Sequence, residues 1–255
     1  MSENLSPIQY LYKYRSIDKN AKRIITDNEL YFSSPADFND PYDCNIPIEK
    51  NSSEENIRKH MLRNIPESSE EELDRDVKRI KEDPNFLHEI IKKYLNDFCG
   101  ICCFSKLYDS ILMWSHYADY HKGICLKFDI TKDPDLFSIN LPVHYSRKLP
   151  VFDLFSCKDK IFNKLIQPKF MAWKYESEVK IFKGRKDLEN NKLTNQRIFK
   201  FKNEALQEII FGTNASEKDI KIIKKLCEKS DKNHVKFSKM QLKQEKLYGL
   251  EKVDL

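Results

Sequence analysis

A chain of 255 residues with 40% hydrophobic and 12% aromatic residues holds enough apolar material for a sizeable core. Charged residues make up 33%, yet they sum to only +5, and no basic stripe interleaved with aromatics runs along the chain, so composition disfavours a dedicated nucleic-acid binder. No segment approaches ~18 apolar residues, which excludes a membrane-spanning helix, and no membrane partner is expected.

The opening MSENLSPIQYLYKYRS is polar and lacks a secretory apolar core, so a cytoplasmic location is expected. Seven cysteines (Cys44, Cys99, Cys102, Cys103, Cys125, Cys157 and Cys227) then read as free thiols in a reducing compartment. Residues 8–15 carry the aromatic bias of a strand in Tyr10, Leu11, Tyr12 and Tyr14. A short helix over 18–27 follows, with Ile24 and Ile25 as its apolar contacts, then a second strand over 29–34. Pro, Asn and Asp make 35–44 a structured loop.

Residues 50–98 are densely charged with helical spacing, seen in Ile57, Met61 and Leu62, then Leu73, Val77 and Ile80, then Phe86, Ile90, Ile91 and Leu95. Ser68 or Ser69 ahead of Glu70 supplies an N-cap, and Pro66 and Pro84 punctuate the run, which predicts a two- or three-helix insertion. Beyond it come a buried strand over 100–105, a helix over 109–120 and a strand over 123–129. A short strand at 143–146, a helix over 153–164 and an alternating strand over 175–182 follow. The chain ends with a strand over 209–212, a helix opened by a capping box at Ser216 and running to Cys227, and a strand over 235–240. The whole reads as one α+β domain spanning 1–255, a small mixed or antiparallel sheet core with surrounding helices and the charged helical insertion at 50–98.

Four segments hold residues able to do chemistry. In SILMWSHYADYHKG, Trp114, Tyr117 and His121 fall at i, i+3 and i+7 on one helical face, either a core seam or the wall of a pocket that stacks a flat ring. Gly123 closes that helix. In NDPYD, Asp40 and Asp43 either hold a divalent cation or tie a turn through side-chain-to-backbone bonds. Cys99, Cys102 and Cys103 have a CxxC spacing but no second pair, which favours a buried strand over a zinc site. Glu176 and Glu178 project to one side of the predicted strand, roughly 7 Å apart, as a carboxylate pair for catalysis or as outward charges on an edge.

The strings LYKYR, LYFSSPADFNDPYDC, CFS, LMWSHYADYHKGICLKFD and WKYESEVKIF, in that order, resemble the bacterial family labelled domain of unknown function 2971, from about residue 10 to about residue 212. A more distant resemblance links Arg15 at the end of one strand, Ser33-Ser34 at the end of another and Glu176-x-Glu178 to the Arg, Ser-Thr-Ser and Glu-x-Glu pattern of mono-ADP-ribosyltransferases. Here the pattern reads Ser33-Ser34-Pro35 in place of Ser-Thr-Ser, and the gap to Glu176 is longer. That resemblance implies an enzyme using NAD as substrate, a toxin or antiphage effector with a protein or nucleic-acid acceptor. Arg15 would anchor the phosphates, Ser33 or Ser34 would brace the nicotinamide ribose, Glu178 would be the catalytic carboxylate and Glu176 would orient the acceptor. The pocket would be completed by Phe38, Trp114, Tyr117 and His121, with Tyr31, Phe38 or Trp114 stacking on nicotinamide. Breaking the nicotinamide–ribose bond builds positive charge that a carboxylate stabilises, and a guanidinium matches a pyrophosphate. Two alternatives stay open. One is a metal-dependent nuclease or hydrolase using Asp40, Asp43, His116, His121 and the glutamates. The other is a non-catalytic ligand-binding or regulatory module of a defence system.

Overall fold

The computed structural model describes residues 8–49, 52–64, 66–83, 85–155, 161–191, 193, 196–244 and 247–255. In chain order the elements are β1 (Tyr10–Arg15), α1 (Lys19–Asp27), β2 (Glu29–Tyr31), α2 (Glu54–Asn64), α3 (Glu70–Glu82), α4 (Phe86–Phe98), β3 (Gly100–Ser105), α5 (Ile111–Tyr117), β4 (Ile124–Asp129) and β5 (Asn140–Pro142). Then come β6 (His144–Ser146), α6 (Ile161–Ile166), β7 (Pro168–Phe170), β8 (Glu178–Lys183), α7 (Arg185–Asn190), β9 (Ile198–Lys200), β10 (Leu206–Phe211), α8 (Glu217–Lys229), β11 (Lys236–Leu242) and β12 (Leu250–Asp254). The fold is α+β. Backbone contacts group the chain into two compact units, one of the described residues within 1–33, 100–142 and 172–255, the other of those within 34–99 and 143–171.

The first unit is built on an eight-stranded sheet in the order β12-β11-β10-β4-β1-β3-β8-β5, larger than the small sheet expected. Every neighbouring pair is antiparallel except β10 with β11, which α8 connects as a parallel crossover. β1 lies inside the sheet, paired with β4 along its whole length and with β3 at Tyr12↔Ser105. One sheet face is covered by α1 and α8, whose Ile24, Ile25, Ile220 and Ile223 pack on Leu11, Leu126, Phe128, Val179 and Ile209. The other is covered by α5 and the residue after it, with Met113, Trp114 and Ala118 packing on Tyr14, Cys125, Ile210 and Met240. Both faces of the central strands are therefore buried, and their sequences read as nearly continuous apolar runs.

Several elements are shorter than expected. β2 stops at Tyr31, and Ser33 adds a single bridge to Ile101. α5 stops at Tyr117 and β8 starts only at Glu178. Pro84, Cys157 and residues 156–160 of the helix expected over 153–164 lie outside the described residues, with α6 covering 161–166. The other six cysteines are free thiols.

The second unit contains α2, α3 and α4, where a two- or three-helix insertion is expected over 50–98. Ile57, Val77 and Phe155 form its small core, with Met61, Ile80 and Leu87 against it. Ser69 forms a reciprocal capping box with Glu72 at the start of α3. β6 and β7 pair in parallel with Ser146 opposite Phe170. Among the described residues, no helix is long and apolar enough to cross a membrane.

On the α5 face a buried polar knot ties β10 to β11 and β12. Ser238 Oγ donates to Glu208 Oε1 at 2.7 Å, and Lys252 Nζ reaches the two carboxylate oxygens at 2.8 and 2.9 Å. Glu208→Ala leaves a buried hydroxyl and a half-buried ammonium without their acceptor. It is expected to cost about 2–3 kcal/mol of stability, read from the urea midpoint at unchanged m-value.

Candidate functional site

The aromatic segment at 110–123 folds as a clamped corner. Ser110 caps α5 by accepting from Met113 N. Trp114 is fully buried, its Nε1 donates to the Tyr108 carbonyl at 2.8 Å, and its ring meets Tyr14 edge-on at 5.1 Å. Trp114 is thus a core wedge with no face left for a ligand, a correction to its expected stacking role. After Tyr117 the chain takes three left-handed residues, Asp119, Tyr120 and His121, with φ of 46°, 51° and 67°. His121 therefore does not continue the helical face of Trp114 and Tyr117.

Backbone bonds hold this corner. His121 N reaches Trp114 O at 3.1 Å, Gly123 N reaches Ala118 O at 2.8 Å, and Asn214 N reaches His121 O at 2.9 Å. The corner also explains two glycines. A Cβ on Gly123 would lie 2.2 Å from Arg15 O, and one on Gly212 would lie 2.0 Å from His121 O. His121 Nδ1 is buried with no hydrogen-bond partner among the described residues, and burial holds the ring's pKa below its usual value.

The glutamate pair is not arranged as an alternating strand predicts. Residues Met171–Glu176 form a 3-10 turn, Ser177 has φ 44°, and β8 begins with Glu178, so a left-handed residue separates the two carboxylates. Both are buried. Glu176 Oε1 accepts from the Tyr117 hydroxyl at 2.5 Å, and Ser105 Oγ donates to the Glu176 carbonyl at 2.6 Å. His116 Nδ1 lies 3.0 Å from the Tyr175 hydroxyl beside them. Tyr117 is thus a hydrogen-bond partner of Glu176, joining two of the segments singled out by sequence.

Arg15 does not join this group. The registers Tyr12↔Ser105 and Ser105↔Glu178 place Tyr12, Ser105 and Glu178 on one face of the sheet. Arg15 is three residues from Tyr12, so strand alternation sends it to the opposite face, under α1. The expected convergence of Arg15 with Glu176 and Glu178 is corrected accordingly.

On the α1 face Arg15 lines a cleft of about 330 Å³ with Lys13, Asn20, Arg23, Glu29, Tyr31 and Ser33 among its walls. Arg15 Nη2 pairs with Asp18 Oδ2 at 3.2 Å, and Asp18 Oδ1 caps α1 at Ala21 N. Arg15 Nε is buried and has no hydrogen-bond partner among the described residues. Arg23 pairs with Glu29 at 2.6 Å. Lys13 Nζ bonds the Cys103 carbonyl at 3.0 Å and lies over the Phe104 ring. Tyr31, 47% exposed, stands at the rim. Arg15 and Ser33 thus share a cavity, as the sequence pattern required of them.

Ser34 and Phe38 belong to the second unit and do not line this cleft. Ser34 Oγ donates to Asn96 O at 2.8 Å, and Phe38 closes the 3-10 turn Pro35–Asp37. Lys13 and Arg23 were missed by sequence reasoning, although Lys13 lies two residues before Arg15 on the same strand face. In the 39–43 loop, Asp40 Oδ1 accepts from Tyr42 N at 3.0 Å, the turn bond weighed from sequence, whereas buried Asp43 forms an ion pair with buried Lys169 at 3.3 Å. Among the described residues no three His, Cys, Asp or Glu side chains gather as a metal-holding group.

Two predictions follow from the corner. Gly212→Ala forces a side chain onto the His121 carbonyl and is expected to cost about 3 kcal/mol in chemical denaturation. Gly184→Ala, whose Cβ meets the Phe182 ring at 3.5 Å and Asp187 Oδ2 at 3.8 Å, both ordinary contacts, should stay within about 1 kcal/mol. A depressed histidine pKa means the unfolded chain binds more protons below about pH 6.5, so stability falls as pH drops through that range. His121→Asn, which tolerates the left-handed backbone, is expected to make the decline below about pH 6.5 shallower than in wild type, measured by denaturant midpoints.

Comparison of the chain with protein-family models, with curated proteins and with solved structures finds no match.

Proposed function

We propose that the protein is a binding module for a phosphate-bearing nucleotide, held in the cleft of Lys13, Arg15, Arg23, Tyr31 and Ser33, with NAD, the ligand the sequence resemblance implies, as the first to test. The observation that carries this reading is the Arg15 guanidinium, whose buried Nε has no hydrogen-bond partner among the described residues in a cavity of about 330 Å³. Its pair with Asp18 is partly solvated, and such pairs contribute only ~0–1 kcal/mol, so a phosphate can replace the carboxylate at small cost. A guanidinium takes a phosphate through two parallel N–H bonds, Ser33 offers a hydroxyl, and Tyr31 offers a ring face at the rim. The volume lies at the small end of ligand pockets and suits a phosphoribosyl part with the base resting outward.

ADP-ribosyl transfer from this cleft would need a carboxylate on the α1 face of the sheet. Glu29 is there, paired to Arg23, whereas Glu178 faces the α5 side. Binding without transfer is therefore the reading with the stronger geometric support.

The test is calorimetric titration and thermal shift with NAD, ADP-ribose, ATP and inorganic pyrophosphate on wild type, Arg15→Gln and Glu178→Gln. At least one nucleotide should stabilise the wild type, by about 2.7 kcal/mol at a hundredfold excess over Kd. Arg15→Gln should weaken it about 10–100-fold, and Glu178→Gln should bind as wild type. No stabilisation by any of the four ligands overturns the proposal. NAD turnover that survives Arg15→Gln but vanishes in Glu178→Gln would replace it with catalysis on the α5 side.

A further inference from the structure

The second unit holds a separate cavity of about 240 Å³, lined by Tyr42, Ile46, the segment 146–150 and Pro168, Lys169 and Phe170. Ser146 and Phe170 are opposed across the β6–β7 pair, and Tyr42 comes from the tight turn after Asp40. Tyr42, Leu149 and Phe170 are 55%, 48% and 50% exposed, so two aromatic rings and an aliphatic side chain face outward around one hollow. Pro150 and Pro168 stiffen its walls.

The charges are sorted in one direction. Asp43 is turned inward onto Lys169, both side chains nearly fully buried, and Asp40 is buried in the turn. Arg147 and Lys148 are exposed at the rim and enter no ion pair among the described residues. Among the described residues the rim therefore presents two cations outside any ion pair beside two open rings.

We propose that this cavity is a docking site for single-stranded nucleic acid. Bases would stack on Tyr42 and Phe170, and successive phosphates would meet Arg147 and Lys148. Every base has a π-face, so the rings accept any sequence. Apart from the Tyr42 hydroxyl, the one neutral hydrogen-bonding side chain in the lining is Ser146, whose Oγ already accepts from Lys148 N at 3.0 Å. Base-specific reading is accordingly weak. This site is independent of the cleft at Arg15, which lies in the other unit.

The experiment is fluorescence anisotropy of labelled oligothymidine and oligouridine of about 12 nucleotides with the full chain, at about 50 and about 200 mM salt. Wild type should bind both strands with similar affinity. Tyr42→Ala and Phe170→Ala should each weaken binding about tenfold. The double variant Arg147→Ala/Lys148→Ala should lower the slope of log K against log salt by about 1.4, two contacts at ~0.7 each. Arg15→Gln should leave this binding unchanged, and the melting temperature of each variant confirms its fold. The proposal is overturned if no strand binds at about 100 μM protein, where even nonspecific affinity registers. It is equally overturned if binding ignores the ring variants, or if an acidic peptide of matched length binds as tightly as the oligonucleotides.

Discussion

A strand held inside a sheet with both faces covered has to divide its side chains, and β1 shows what that division does to this molecule. Its ladder with β4 runs unbroken from Tyr10 to Arg15, so no bulge lets a residue change sides. Leu11, Lys13 and Arg15 face α1, while Tyr10, Tyr12 and Tyr14 face the α5 side. Burial on the tyrosine side is deep enough to push the Tyr12 hydroxyl's pKa up to about 12. Lys13 and Arg15 of β1 are thereby placed under α1. Tyr117, Glu176 and Glu178 lie on the reverse, with Tyr12 and Tyr14. The sheet itself stands between the two sets.

The strands that form the middle of the sheet were legible because buried strands are apolar and β-branched or aromatic, as in GICCFS and IIF. The Ser69 and Ser216 caps were legible because a hydroxyl just ahead of a helix accepts from one of its unpaired N–H groups, those of Glu72 and Asp219 here. β5, β7 and β9 have three residues each, too few to show a period. β12 carries Glu251, Lys252 and Asp254, and its charges mask it.

Within the candidate sites, residue types were easier to read than directions. Arg15 and Ser33 were paired from their positions at strand ends, and they do share a cleft. Glu178 was assigned to the same place because sidedness depends on register, which pairing with β3 determines and local sequence does not. Helical spacing put His121 beside Trp114. The helix ends early because non-glycine residues adopt left-handed backbone, which is rare enough that no sequence rule anticipates it. The hollow between Tyr42 and Phe170 joins segments far apart along the chain, so scanning for a contiguous basic and aromatic stripe passes over it.

A sheet with two open margins is also a template on which further strands can grow, and here both margins are closed to recruitment. β5 is a three-residue strand that ends in Pro142, which has no N–H to offer a newcomer. At the opposite margin, acidic Glu251 and Asp254 stand exposed along β12, so a second copy approaching edge to edge would bring like charges together. A sheet of this breadth is thereby kept from polymerising through its own backbone.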